Sequence, residues 1–290
     1  MEDAPQAEAD QGAMAPPGCY TGQSFDGKLI TLISGNLDEL NVPNVLWGDC
    51  LMNVYGVPLK PTDITFVVPD ALISIAYVGI YCKKLLLPCP DYDECYKCRP
   101  CIYPRPEKHF HLPEPSYNPQ EAPQTPRVEI ATQSQVLWGM TSLRKNPSKP
   151  GDENFMFIPS PCLPAGELSD DINFQTVKIP TAARLTEALI RLFVRDKKKE
   201  EEARSRYWMN MLRHIHFYVK GTDVLPAEDL EPRFRSYFEN LMSDSSNHNQ
   251  TMEEFEKGLE IERSERGPEF MTAFGEFISS SEVDFDPILE

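Results

Sequence analysis

The sequence has no apolar run long enough to cross a membrane, and it has little positive charge. Its longest apolar run, 71–79, is much shorter than the roughly 20 residues of a transmembrane helix. The N-terminus lacks the basic and then apolar pattern of a secretory signal, so we expect a soluble, cytoplasmic protein without a membrane partner. Its 28 Lys and Arg residues stand against 45 Asp and Glu residues, and the net charge of −17 repels nucleic acid. We therefore do not expect nucleic acid as a partner.

The motifs of several common enzyme classes are also missing. The sequence contains no P-loop, no zinc-hydrolase pattern and no recognisable nucleophile motif, and it has no internal repeat. The stretch 181–220 is locally basic, with ten basic and five acidic residues. We interpret it as a solvated helix face whose charges pair with each other, and a local surface for anions is the alternative.

Composition and periodicity divide the chain into four parts. Residues 1–22 are rich in Ala, Pro, Gln and acids and predict a disordered tail. Residues 23–175 alternate helical and strand patterns and predict an α/β domain, interrupted at 88–126 by ten prolines that exclude long helices and all but edge strands. Residues 176–278 predict an α-helical half, and 279–290 form an acidic tail.

The predicted fold class is α+β, with a small mixed sheet, helices beside it, and a helical second half. In the first domain we predict a helix over 25–40, a turn at Gly48 and Asp49 followed by one or two helical turns that end at Gly56, and a helix capped by Asp70 that continues to about residue 86. Strands are predicted at 45–47, 64–68 (led by Asp63), 127–132, 136–138 and 155–158. In the second half, apolar stripes cover 185–193 and 207–218, and further helices are predicted at 228–242 and 252–261.

One segment, 45–68, carries a recognisable pattern. A short strand ends in Trp47-Gly48, a short helix follows, and Gly56-Val57-Pro58 precedes a strand that begins with Asp63. This pattern resembles the nucleotidyltransferase fold, in particular uncharacterised fungal nucleotidyltransferase-like proteins. In that family the glycine turn holds a nucleoside triphosphate, and three carboxylates on two neighbouring strands bind two Mg²⁺ ions. The resemblance implies transfer of a nucleotidyl group to an acceptor, a small molecule or a protein, that the sequence does not identify.

The resemblance assigns roles to individual residues. Gly48 matches the turn glycine, and Asp63 matches the first metal carboxylate. Asp49 stands where a second glycine or a serine is usual, and Thr65 stands in the place of the second carboxylate. Glu129, on the strand over 127–132, is the candidate third carboxylate, with a solvent-facing strand residue as the alternative.

Asp49 and Thr65 depart from the family pattern, and these two differences leave the activity open. An acid beside the turn repels a triphosphate unless a cation intervenes, and a hydroxyl at position 65 removes one charge from a two-metal site. The resemblance still implies a divergent transferase, in which Asp63 and Glu129 hold one Mg²⁺ and Gly48 lets the backbone approach the phosphates. We carry two alternatives to it. One is a catalytically inactive relative that binds a partner, and the other is an enzyme of fungal specialised metabolism that uses the scaffold for different chemistry.

Other candidate ligands lie outside that segment. In the helical half, Arg184 and Arg191 are candidate phosphate contacts, and His214 is predicted to be a hydrogen-bonded core histidine. The insertion carries clustered cysteines followed by two histidines, and CxxC spacing lets two thiolates bind one ion. The candidate structural zinc ligands are Cys89, Cys95, Cys98 and Cys101, with His109 and His111 nearby and reduced surface thiols as the alternative.

Overall fold

The computed structural model describes residues 26–83, 86–89, 95, 105–112, 126–138, 140, 143, 153–158, 160, 162–164, 177–198, 202–243, 253–259 and 261. The two predicted tails, 1–22 and 279–290, lie outside these residues. Among the described helices, none combines the length and the apolar character needed to cross a membrane.

Helices and short strands alternate along the first half of the chain. They are α1 (Gly27–Glu39), β1 (Val45–Trp47), α2 (Gly48–Val54), β2 (Asp63–Val68), a 3-10 turn (Asp70–Leu72), α3 (Ile73–Cys82), β3 (Leu87–Pro88), β4 (Lys108–His111), β5 (Arg127–Thr132) and α4 (Gln133–Val136). The second half contains β6 (Phe155–Ile158), β7 (Val177–Pro180), α5 (Ala182–Lys198), α6 (Glu202–His214) with a π-helical extension (Ile215–Val219), a 3-10 turn (Ala227–Asp229), α7 (Pro232–Met242) and α8 (253–259). The predicted α+β class is therefore confirmed.

The main sheet has the strand order β1-β2-β5-β4-β3. Its central pair, β2 and β5, is parallel, and the other neighbouring strands are antiparallel. Because side chains two positions apart point to the same face of a strand, this sheet has two distinct faces. One face is apolar and fully buried, and it is formed by Ile64, Phe66, Val68, Phe110, Val128 and Ile130.

Helix α3 packs on the apolar face, and α1 packs beside α3. The ring of Tyr77 in α3 stacks on Phe110, with the ring centroids 4.9 Å apart. Gly79 allows close contact between α3 and the end of α1, because a Cβ atom at this position would lie 2.0 Å from Cδ1 of Leu40. Asp26 caps α1 by accepting hydrogen bonds from the backbone N–H groups of Lys28 and Leu29, at 3.0 and 3.1 Å. The helices therefore cover one face of the sheet and leave the other for polar residues.

The second half of the chain is joined to the main sheet through β7. Strands β6 and β7 form an antiparallel pair, and β7 contacts β1 and α1. The hydroxyl of buried Tyr55, just after α2, donates to the carbonyl oxygen of Pro180 at the end of β7. Helices α5 and α6 then pack against each other, and Asp196 of α5 accepts from Nε1 of Trp208 in α6 at 2.7 Å.

Three local predictions differ from the structure. The predicted strand at 136–138 is wrong, because Thr132 and Gln135 form a reciprocal capping box that starts α4 there. The predicted cap by Asp70 is also wrong, because its carboxylate accepts from the N–H and hydroxyl of Ser134 instead. Strand β4 lies inside the sheet rather than at its edge, since the prolines at 106 and 113 flank it without interrupting it.

Candidate functional site

The face of the main sheet opposite α3 carries six polar residues in two rows. The register pairs Asp63 with Arg127 and Arg127 with His111 in one row. It pairs Thr65 with Glu129 and Glu129 with His109 in the other. We call these residues the polar face: Asp63, Thr65, His109, His111, Arg127 and Glu129.

Arg127 lies at the centre of the polar face. Its side chain is fully buried, with 0% exposure. The guanidinium places Nε 3.4 Å from Oδ1 of Asp63 and Nη2 3.3 Å from Oε1 of Glu129. Its third nitrogen, Nη1, lies 3.6 Å from the sulfur of Cys95. One buried cation therefore contacts both strand carboxylates and a cysteine of the insertion.

Glu129 is held from both sides. The hydroxyl of Thr65 donates to its Oε2 atom at 3.2 Å, while Arg127 contacts Oε1. The residue is only 2% exposed, so the alternative of a solvent-facing strand residue is wrong. The structure thus brings together the three residues, Asp63, Thr65 and Glu129, that the sequence assigned to the carboxylate site.

The Gly48-Asp49 turn lies next to this group. Gly48 adopts a φ of +73°, and a Cβ atom there would lie 3.5 Å from Oγ1 of Thr65, so the turn passes directly over the polar face. Asp49 is exposed at the surface. Partial desolvation and the charge of Asp63 raise the pKa of its carboxyl, against a smaller lowering effect from His214. The turn therefore places the carboxyl of Asp49 close enough to Asp63 for their negative charges to repel each other.

Helix α6 borders the same region with two residues that the sequence did not assign to it. The prediction of His214 as a core residue is wrong, because it is half-buried and its charge acts on Asp49. Burial, together with the charges of Asp49 and Glu129, raises the pKa of the Tyr207 hydroxyl. In the sequence, His214 and Tyr207 fit the apolar periodicity of a helix, so nothing indicated that they lie beside the polar face.

The predicted phosphate contacts, Arg184 and Arg191, have other partners. Arg184 donates to Glu187 at 2.7 Å and to Glu153 at 3.2 Å. The guanidinium carbon of Arg191 lies 4.3 Å from the ring centroid of Phe234, a cation–π contact between α5 and α7. A role for either residue in binding phosphate stays a prediction.

Two Mg²⁺ ions, as the resemblance implies, do not fit the polar face. A two-metal site needs carboxylates that converge on the ions, and here the guanidinium of Arg127 lies between Asp63 and Glu129. The position of the second carboxylate is a hydroxyl, that of Thr65, which already donates to Glu129. Arg127 therefore supplies the positive charge that metal ions would supply in such a site.

A second cluster adjoins the polar face. The donor atoms of Cys89, Cys95, His109 and His111 all lie within 4.8 Å of one another, so this group could hold a metal ion. Within it, Sγ of Cys95 lies 3.7 Å from Nε2 of His111. Of the four predicted cysteine ligands, Cys89 and Cys95 belong to the cluster. The other two, Cys98 and Cys101, lie outside the described residues.

His109 and His111 are candidate metal ligands that the predicted ligand set omitted. A signal for them existed, since a His-x-His pair in a strand places both rings on one face. Burial, reinforced by the charges of Arg127 and His111, lowers the pKa of His109 to about 3. His109 is therefore a neutral imidazole at physiological pH, the form that binds metal ions.

Comparisons with known proteins do not identify a family. No family model matches the chain, and neither a curated protein nor a solved structure matches it. The resemblance to nucleotidyltransferases thus depends on the residues of 45–68 and on their arrangement with β5.

Proposed function

We propose that this chain has a nucleotidyltransferase-like fold that has lost the two-metal transfer reaction and acts as a binding protein. The observation that carries the proposal is the buried guanidinium of Arg127, in contact with both Asp63 and Glu129. In this proposal the surface next to the polar face, around Asp49 and α6, binds a partner without chemical turnover.

The charge balance supports the loss of transfer. An arginine in a protein interior stays protonated, so its positive charge persists at all ordinary pH values. Metal ions placed between Asp63 and Glu129 would have to displace Arg127, which would then be a buried cation without its carboxylate partners. Breaking a buried ion pair in this way costs about 3–5 kcal/mol, which opposes metal binding at this position.

The topology supports the fold assignment in the proposal. Strand β1 runs antiparallel to β2, β2 runs parallel to β5, and the turn at Gly48 follows β1. The register places Thr65 of β2 opposite Glu129 of β5. The candidate carboxylate positions thus occupy two neighbouring strands, as the resemblance implies.

The choice of metal follows from the ligand atoms that are present. Mg²⁺ prefers oxygen ligands, whereas thiolates and imidazoles suit Zn²⁺. The proposal therefore replaces catalytic Mg²⁺ with Zn²⁺ at the cysteine and histidine cluster, where the metal has a structural role.

A second candidate function is nucleotide binding with one divalent ion, followed by transfer to an acceptor. Asp49 favours it, because desolvation and, after it, the negative charge of Asp63 raise the pKa of its carboxyl, and a bound cation would offset both effects. The positive φ of Gly48 also lets the turn approach a ligand closely. This candidate requires that Asp49 replaces the carboxylate missing at Thr65.

Thermal unfolding with ligands separates the two candidates. Wild type, Asp63→Asn and Asp49→Asn are measured with ATP, GTP, CTP or UTP, each with Mg²⁺ or Mn²⁺, and Asp223→Asn, an exposed loop carboxylate, is the control. A binding protein without transfer gives no shift that requires both nucleotide and metal, and no release of pyrophosphate. A shift in wild type and the control that is lost in both site variants would favour the one-ion enzyme, because a ligand of the native state stabilises it by mass action.

A further inference from the structure

Three donors of the cysteine and histidine cluster are positioned by backbone pairing alone. Strands β3 and β4 are antiparallel, with Leu87 opposite His111. Two residues further, beyond the Pro88–Phe110 pair, the backbone N–H of Cys89 donates to the carbonyl oxygen of His109 at 3.5 Å, so these two residues also lie opposite each other. His109 and His111 are two positions apart and share a face. The end of this strand pair therefore presents one sulfur and two imidazoles together.

The fourth donor, Cys95, comes from the insertion. Its sulfur lies 3.7 Å from Nε2 of His111. With Zn–S and Zn–N bonds of about 2.3 and 2.1 Å, a tetrahedral zinc site places sulfur and nitrogen ligands about 3.6 Å apart. The separation is thus the one that two ligands of the same zinc ion would have.

We propose that Cys89, Cys95, His109 and His111 bind one structural zinc ion that fixes the insertion to the main sheet. All four positions of a tetrahedral ion are then occupied by protein, which is typical of structural rather than catalytic zinc. The proposal holds whether or not the polar face binds nucleotide.

The charge of the site agrees with this ligand set. Two thiolates neutralise Zn²⁺, and two neutral imidazoles add no charge, so the complete site is neutral. The neighbouring Arg127 is already matched by Asp63 and Glu129, at 3.4 and 3.3 Å. A site of four thiolates would instead add two negative charges beside two buried carboxylates.

The zinc site also has a consequence for the polar face. Arg127 contacts the sulfur of Cys95 through Nη1, at 3.6 Å, while its Nε and Nη2 atoms contact Asp63 and Glu129. A metal-bound thiolate is a charged acceptor in a fixed position, and groups that contact metal ligands are oriented by them. Zinc thereby holds the guanidinium of Arg127 against Asp63 and Glu129.

The metal content of ligand and control variants tests the proposal. Proteins reconstituted with Zn²⁺ under reducing conditions and then dialysed are analysed by mass spectrometry for zinc per chain. We expect one zinc in wild type, in Cys82→Ser (an exposed cysteine outside the cluster) and in the double variant Cys98→Ser/Cys101→Ser. Cys95→Ser and His109→Gln should bind zinc at least about tenfold more weakly. Loss of zinc in the double variant with retention in His109→Gln would overturn the ligand set.

X-ray absorption at the zinc edge provides a measurement that needs no variant. Wild type should give two sulfur and two nitrogen ligands, whereas four sulfur ligands would contradict the assignment. Wild type that remains free of zinc after reconstitution would overturn the proposal altogether. None of these outcomes depends on the nucleotide experiment, so the two proposals can fail separately.

Discussion

Arg127 and Glu129 lie two positions apart on the same strand, and their side chains meet on one face of the sheet, with Nη2 3.3 Å from Oε1. Because both are buried, the pair depends on its neighbours: Asp63 shares the guanidinium, and Thr65 donates to the carboxylate. The candidate site is therefore a group of side chains whose contacts depend on one another.

Replacing Arg127 with Met should destabilise the protein by about 3–5 kcal/mol, because buried Glu129 and partly buried Asp63 would lose the cation that they share. Urea denaturation measures the change. The matched control is Lys83→Met, which removes an exposed pair with Glu39 and should change stability by less than about 1 kcal/mol. If Arg127→Met unfolded at the same urea concentration as wild type, the guanidinium would not be the partner of the two carboxylates.

The turn glycine should not tolerate a side chain. Gly48→Ala is expected to cost about 1–2 kcal/mol, because its φ of +73° is unfavourable for any residue with a Cβ atom. The control is Gly35→Ala in the middle of α1, where a Cβ meets nothing within 4 Å, and it should stabilise the protein by about 0.5–1 kcal/mol. Thermal unfolding of the two variants should move in opposite directions, and a loss of stability in both would contradict this account of Gly48.

Asp196 should contribute to the acid sensitivity of the protein. Burial alone would raise the pKa of its carboxyl, but hydrogen bonds from Arg195 and Trp208 outweigh burial and lower it below the usual 3.8. A carboxyl whose pKa is lower in the folded state stabilises the protein above its unfolded pKa, and this contribution is lost as the pH falls through the folded pKa.

The comparison of wild type with Asp196→Asn from pH 7 to pH 3 tests this effect. Wild type should be more stable at pH 7, and the difference should shrink as the pH falls through and below 3.8. The same variant series with exposed Asp223→Asn should show a small difference at every pH. A difference that grew on acidification would reverse the assigned sign.

Removal of metal should loosen one edge of the main sheet selectively. A chelator is expected to increase amide hydrogen exchange in β3 and β4, because their outer end loses the link to Cys95. Helices α5 and α7 contact each other in the second half of the chain and serve as the internal control. An equal increase in the strands and these helices would indicate global unfolding instead of the loss of a local metal link.

The part of the fold that was predictable from sequence depends on local signals. Alternating apolar residues identified β2, a glycine with positive φ marked the end of β1, and helical spacing identified α1 and α5. Strand β7 was not predicted, because its four residues are defined by pairing with β6 and contact with β1. Non-local pairing of this kind leaves little trace in a short sequence window.

The same distinction applies to the candidate site. Asp63, Thr65 and Glu129 were grouped by the resemblance, and strand alternation with the register of β2 and β5 places their side chains together. Arg127 was visible only as the first residue of a strand, and its role emerged from the register that places it opposite Asp63. Similarly, His109 joined Cys89 only through the pairing of β3 with β4.

The parallel pairing of β2 with β5 also affects how this protein folds during its synthesis. During synthesis β2 leaves the ribosome well before β5, so the apolar residues Ile64, Phe66 and Val68 lack their neighbour strand until the insertion has been translated. Closing a longer loop costs little at equilibrium, about 0.6 kcal/mol for each doubling of its length, but distant pairing slows folding. The length of the insertion is therefore a determinant of folding rate and of the demand for chaperones more than of final stability.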